Sequence, residues 1–130
     1  MRGRKFMDFQ DSVVVTLHND ISIVGTVRYE KGFCFVKQSE KSGVVGVAPY
    51  SSIKTIYNLQ GKSVEIVSEQ EKEQLLITEE ERLVRIKGGI TFTGNLVKSS
   101  WLEQLLPNGI ILCVNQRVTL FYYIPDEEVL

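Results

Sequence analysis

VTLHNDISIVGTV, residues Val15 to Val27, decides how the chain is read, because it is written twice. The second copy is VRIKGGITFTGNL, Val84 to Leu96, and the two align without a gap. Val15/Val84, Ile21/Ile90 and Gly25/Gly94 are identical, while Leu17/Ile86, Ser22/Thr91, Ile23/Phe92 and Val27/Leu96 are conservative pairs. Apolar residues recur at period two on both sides of a polar tip, His18-Asn19-Asp20 in one copy and Lys87-Gly88-Gly89 in the other. Side chains on a strand alternate between faces, and Asn, Asp and Gly accept the left-handed backbone of a tight turn, so each copy predicts a β-hairpin. Gly25 and Gly94 fall inside the second strand of each hairpin. A missing side chain there allows a sharp bend or bulge.

Outward from the first copy, Val13 to Leu17 is strand one and Ile21 to Tyr29 a bent strand two. Lys31-Gly32 is a turn, Phe33 to Gln38 strand three, and Val44 to Ala48 strand four. Pro49 to Ser52 is a turn of tight helix, and Ile53 to Tyr57 strand five. Short strands at close, regular spacing predict a small, strongly bent barrel. Upstream, Arg2, Arg4 and Lys5 form a basic arm, and Phe6, Met7 and Phe9 suit a short helix over one barrel end. Downstream, Ser63 to Val67 suits a further strand, and the stretch from Ser68 to Arg82 is rich in glutamate. Ser68-Glu-Gln-Glu71 has the spacing of a capping box and predicts a short acidic helix; the plainer alternative is a solvated linker.

The second copy carries an insertion between its strands two and three. Counted from Gly25 to Cys34 and from Gly94 to Cys113 it is ten residues, within Lys98 to Asn108. Trp101, Leu102, Leu105 and Leu106 are spaced there as one apolar face of a short helix, which must pack on the barrel or a neighbouring subunit. Ala48-Pro49…Ile53 and Ile124-Pro125…Val129 repeat the turn after strand four, but the second copy's fifth strand is missing or a stub. The edge of strand four, Val118 to Ile124, is then expected to be covered by another strand; the candidates are Ser63 to Val67, Ile53 to Tyr57 of the same chain or another, and a neighbouring subunit. The fold expected is mostly β, with two tandem small, strongly bent five-strand-type barrels. Residues 1–60 form the first, 61–82 a short acidic helical linker, and 83–130 the second.

Composition bounds the function. A net charge of −1 gives no global attraction to nucleic acid or anionic lipid. No apolar run approaches the ~18 residues of a membrane span, so no membrane partner is expected. The two cysteines, Cys34 and Cys113, lie in separate apolar runs and read as buried free thiols, and an intracellular, cytoplasmic location follows as the expectation. The sole histidine, His18, sits on a hairpin tip with no Cys or carboxylate at ligand spacing. There is no phosphate-binding glycine loop and no nucleophile elbow. The chain is expected to be no enzyme and to need no cofactor.

The first copy resembles the Sm/LSm/Hfq family of small β-barrels. The resemblance rests on Val13 to Asp20, Gly25 and Phe33 for the first motif and Val44 to Ile56 for the second. It implies tandem barrels, ring assembly through strand edges, and binding of single-stranded, often uridine-rich RNA. The family's second motif carries Arg-Gly or Tyr-Lys-His where this chain has Pro49-Tyr50-Ser51 and, in the second copy, Pro125-Asp126-Glu127. The function expected is an oligomeric single-stranded RNA binder; the alternatives are a protein-interaction or assembly scaffold and an oligomer holding a small ligand such as a nucleotide between subunits. The RNA or ligand site would comprise His18, Asn19, Phe33, Lys37, Tyr50 and Ser51, with aromatics to stack bases and cations to meet phosphate. The scaffold would anchor through Trp101, Leu102, Leu105 and Leu106. In every case a homo-oligomer is expected.

Overall fold

The computed structural model describes residues 9–38, 42–66, 73 and 75–130. Its strands are β1 (Gln10–Leu17), β2 (Ser22–Glu30), β3 (Phe33–Lys37), β4 (Val45–Pro49), β5 (Ile53–Asn58), β6 (Leu76–Arg85), β7 (Thr91–Lys98), β8 (Gly109–Asn115) and β9 (Leu120–Pro125). They form one antiparallel sheet in the order β5-β1-β2-β3-β4-β9-β8-β7-β6. One helix, α1 (Ser100–Leu105), and two 3-10 turns, Tyr50–Ser52 and Asp126–Glu128, complete the described elements. The protein is mostly β, as its alternation predicts.

Alternation sets the buried faces. Val13, Val15 and Leu17 of β1 and Ile23 and Val27 of β2 are buried, and the residues between them are not. The repeated glycines mark the same event in each half. A Cβ on Gly25 would lie 2.3 Å from the Lys37 carbonyl oxygen, and one on Gly94 2.3 Å from that of Cys113. Glycine is there because a neighbouring backbone passes where a side chain would be.

Sequence and sheet order together demand curvature. β4 and β5 lie at opposite ends of the run β5-β1-β2-β3-β4, yet only Tyr50–Ser52 separates them. Such a connection spans about 14 Å at most from Pro49 to Ile53, so the run curls until its ends meet at the turn. The second half repeats the device: β9 leads through Asp126–Glu128 to Val129, which bridges Ile86 just beyond β6. Val129 is the stub expected of a fifth strand.

β4 and β9 join the halves through Val45↔Tyr123, Gly46↔Tyr122 and Val47↔Phe121. The turn residues set the equivalence between halves, since Phe33 pairs with Pro49 as Gly109 pairs with Pro125. Val45, Gly46 and Val47 then correspond to Phe121, Tyr122 and Tyr123, so the pairing is symmetrical about Gly46 and Tyr122. At that internal two-fold one half has no side chain and the other a ring: a Cβ on Gly46 would stand 3.4 Å from a carbon of Tyr122.

Three buried clusters follow. The first is built mainly by the first half, around Val13, Val15, Leu17, Ile23 and Ile56, with Leu120 of β9 reaching in from the second. A smaller one in the second half is built on Val84, Ile86, Leu112 and Ile124, with Val44 reaching in from the first. The third is shared: Phe33, Phe35, Val45 and Val47 meet Ile111, Cys113, Phe121 and Tyr123, with Leu102 and Leu106 over them. The central strands are therefore covered on both faces, which is why FCFV, IILCV and LFYYI read as unbroken apolar runs.

The structure corrects several expectations. Leu76 to Arg82, expected as the end of an acidic helix, belongs to β6, and the rest of that helix falls largely on residues 67–72 and 74, outside the described residues. β6 thus runs through the boundary expected between residues 82 and 83, and one sheet holds all nine strands. Glu79, Glu80 and Glu81 are exposed residues of β6, and the capping box expected at Ser68 to Glu71 lies outside the described residues. Strand four of the second half is covered by strand four of the first, not by Ile53 to Tyr57, which pairs with β1. Cys34 and Cys113 are not equivalent positions. Gly25 precedes Phe33 by eight residues and Gly94 precedes Gly109 by fifteen, so the insertion is seven residues, not ten. Ser63 forms a single bridge to Tyr57 rather than opening a strand. Phe6 and Met7 lie outside the described residues, while Phe9 packs on the shared cluster.

Candidate functional site at the first-half corner

The turn Tyr50–Ser52 is held at both ends. The Tyr50 N–H donates to the Gly32 carbonyl at 2.9 Å, and the His18 N–H donates to the Ser52 carbonyl at 3.0 Å. The β1–β2 tip and the β2–β3 turn thus converge on one corner. Asn19 and Asp20 shape the tip: Asn19 Oδ1 accepts from the Ile21 N–H at 3.1 Å, and Asp20 takes φ 67°, a backbone region Asp enters more readily than most residues. Lys54 Nζ lies 3.3 Å from Asp20 Oδ1, tying the tip to β5. Both groups are largely exposed, so the pair holds weakly, but it lowers the local positive charge.

Tyr50 is half-buried and meets Tyr29 edge-on with ring centroids 6.4 Å apart. The Tyr29 hydroxyl is buried and has no hydrogen-bond partner among the described residues. Burial pushes its phenol up to about 12, with Cys34 and Asp11 adding to the effect. Burial likewise pushes the Cys34 thiol up to about 12 and raises that of Cys113, so both are poor nucleophiles at neutral pH.

Four of the six expected site residues share this corner. His18, Asn19 and Ser51 are exposed around the half-buried Tyr50. Phe33 and Lys37 do not join them. Phe33 is only 5% exposed and lies 5.5 Å, centroid to centroid, from Trp101, so no base can stack on it. Lys37 is at the other end of β3, roughly 13 Å along a strand that rises about 3.3 Å per residue. What hides Phe33 is the insertion, whose helix belongs to the other half and could not be placed from the first-half motif. Sequence reasoning missed Lys54 and Asp20. The one signal was position, Asp20 on the tip and Lys54 two residues past the turn.

The second half repeats the scaffold with other chemistry. The Asp126 N–H donates to the Asn108 carbonyl at 2.8 Å and the Lys87 N–H to the Glu128 carbonyl at 2.9 Å. Asp126 and Glu127 are exposed there, a surface that repels phosphate. Trp101, Leu102, Leu105 and Leu106, expected as an anchor, all pack on the shared cluster, Leu102 and Leu106 fully buried. They join the two halves of this chain.

A second feature was not expected at all. Beside β6 lies an open groove of about 450 Å³ lined by residues that include Arg82, Leu83, Arg85, Ile110 and Leu130. Leu83 is 62% exposed. Among the described residues no three His, Cys, Asp or Glu side chains come together to hold a metal, and no helix is long and apolar enough to cross a membrane. No protein-family model, curated protein or solved structure matches the chain.

Proposed function

We propose that this is a non-enzymatic assembly scaffold: two small, strongly bent five-strand units of Sm type, fused edge to edge, that work by pairing strand edges as a homo-oligomer. The observation that carries the reading is the β4–β9 contact. An edge that small barrels commonly offer to a neighbour is here used within one chain, and β6 is left with little on its outer side. Exposed edges are normally paired, covered or protected. Solution mass across a range of concentrations tests it. Assembly above the single-chain mass is expected, and a monomer at every concentration would overturn it.

RNA binding stays as a second reading because His18, Asn19, Tyr50 and Ser51 do converge. Against it stand the burial of Phe33, the distance of Lys37 and the Asp20–Lys54 pair. A salt-dependent mobility shift with oligo-uridine would favour it. Base stacking on Tyr50 would make Tyr50→Ala cost roughly tenfold in affinity, and unchanged affinity in that variant would remove the corner from consideration.

A further inference from the structure

We infer that the outer edge of β6 pairs with itself: two copies of the chain join by antiparallel β6–β6 pairing about a two-fold axis. The inference rests on the assembly reading and names its surface and its partner.

Edge accounting selects β6. On the outer side of β5, the Asn58 N–H donates to the Lys62 carbonyl and the Val64 N–H to that of Ile56, so its own downstream chain covers much of it. On the outer side of β6 and just past its end, the backbone contacts among the described residues are the Ile86↔Val129 bridge, the Lys87 N–H to the Glu128 carbonyl and the Leu130 N–H to the Arg85 carbonyl. Upstream of Arg85, β6 is the longest uncovered edge among the described residues. Two molecules that share the same edge close as a two-fold pair, whereas a head-to-tail array needs a second open edge.

The register is constrained. The Ile86 N–H donates to the Ile90 carbonyl, so the backbone groups of Ile86, Val84 and Arg82 face β7 and those of Arg85, Leu83 and Glu81 face outward. The Leu130 bond to Arg85 agrees with that parity. With Arg82 on the axis, Glu81 of one copy exchanges hydrogen bonds with Leu83 of the other, twice, and Arg85 keeps its bond to Leu130.

The charge order fits the same geometry. β6 reads Glu79-Glu80-Glu81-Arg82-Leu83-Val84-Arg85, acidic and then basic. Antiparallel pairing sets the acidic part of each strand against the basic end of the other. The Arg82 guanidinium already meets the Glu80 carboxylate, so the like charges at the axis arrive paired. A bulge between Ile77 and Glu81 limits the ladder to a short stretch, which keeps the pairing reversible. The β4–β9 contact is a precedent, since it too is an antiparallel edge pairing about a two-fold.

Charge reversal tests it on the full chain. Glu79→Lys/Glu81→Lys and Arg82→Glu/Arg85→Glu alter exposed side chains only. Sedimentation equilibrium is expected to find the unaltered protein dimeric, each variant weakened at least tenfold, and an equimolar mixture of the two restored as a heterodimer. Far-UV circular dichroism confirms that both variants fold. If the unaltered protein assembles and neither variant weakens it, self-pairing through β6 is overturned while the assembly reading survives. If it is monomeric throughout, both fall.

Discussion

Tyr29 and Cys34 give the protein an alkaline limb. Both are acids whose neutral form is favoured by burial, with ordinary values of 10.0 and 9.0 raised to about 12. The folded chain therefore holds these protons to higher pH than the unfolded chain does. Their contribution to stability is whole below about pH 9 and is lost as pH rises toward 12. Tyr29→Phe removes the phenol's part of that loss. At neutral pH it also removes a buried hydroxyl without a partner, which leaves stability equal or raises it by up to about 1 kcal/mol. Urea midpoints at pH 7 and near pH 11 check this, and the gap should widen in favour of the Phe variant at the higher pH. Gly25→Ala acts in the other direction. Its Cβ would stand 2.3 Å from the Lys37 carbonyl oxygen, and separating the two backbones should cost roughly 1–3 kcal/mol in the same assay. That Gly25 mattered was legible, since the repeat preserved it. That Phe33 is unavailable was not, because Trp101 reaches it from the other half.

The insertion shows how little helix is needed to close a core. α1 is six residues long, too short to stand alone, and it depends on its cap and its contacts. Ser99 accepts from the Leu102 N–H at 3.1 Å, and Leu102 is fully buried. Ser99→Ala should cost about 1 kcal/mol and Leu102→Ala about 2–5 kcal/mol. Denaturation followed by Trp101 fluorescence reads both. The spacing of Trp101, Leu102, Leu105 and Leu106 made this helix legible. β6 was not, for a physical reason. Apart from Val84 its residues are exposed or half-buried, so burial imposes no period of two that would mark a strand. The β4–β9 pairing left no local trace either, because a strand's alternation records that one face is buried and not which strand lies alongside.

The shared cluster makes the halves interdependent. Phe33, Phe35, Val45 and Val47 are buried only where the second half and α1 cover them. One cooperative transition is expected, with far-UV circular dichroism and Trp101 fluorescence superimposing; two separated transitions would show that each half holds its own structure. The central contact also has a history within each molecule. Gly46 and Tyr122 are seventy-six residues apart in sequence, so during synthesis β4 waits with a bare apolar edge until β9 has been made. Nothing in the register tells β4 which polypeptide that strand comes from. On a crowded polysome the second half of a neighbouring nascent chain offers the same strand at the same register. Such chains would emerge interlocked, each completing the other's sheet, and would part again only by unfolding.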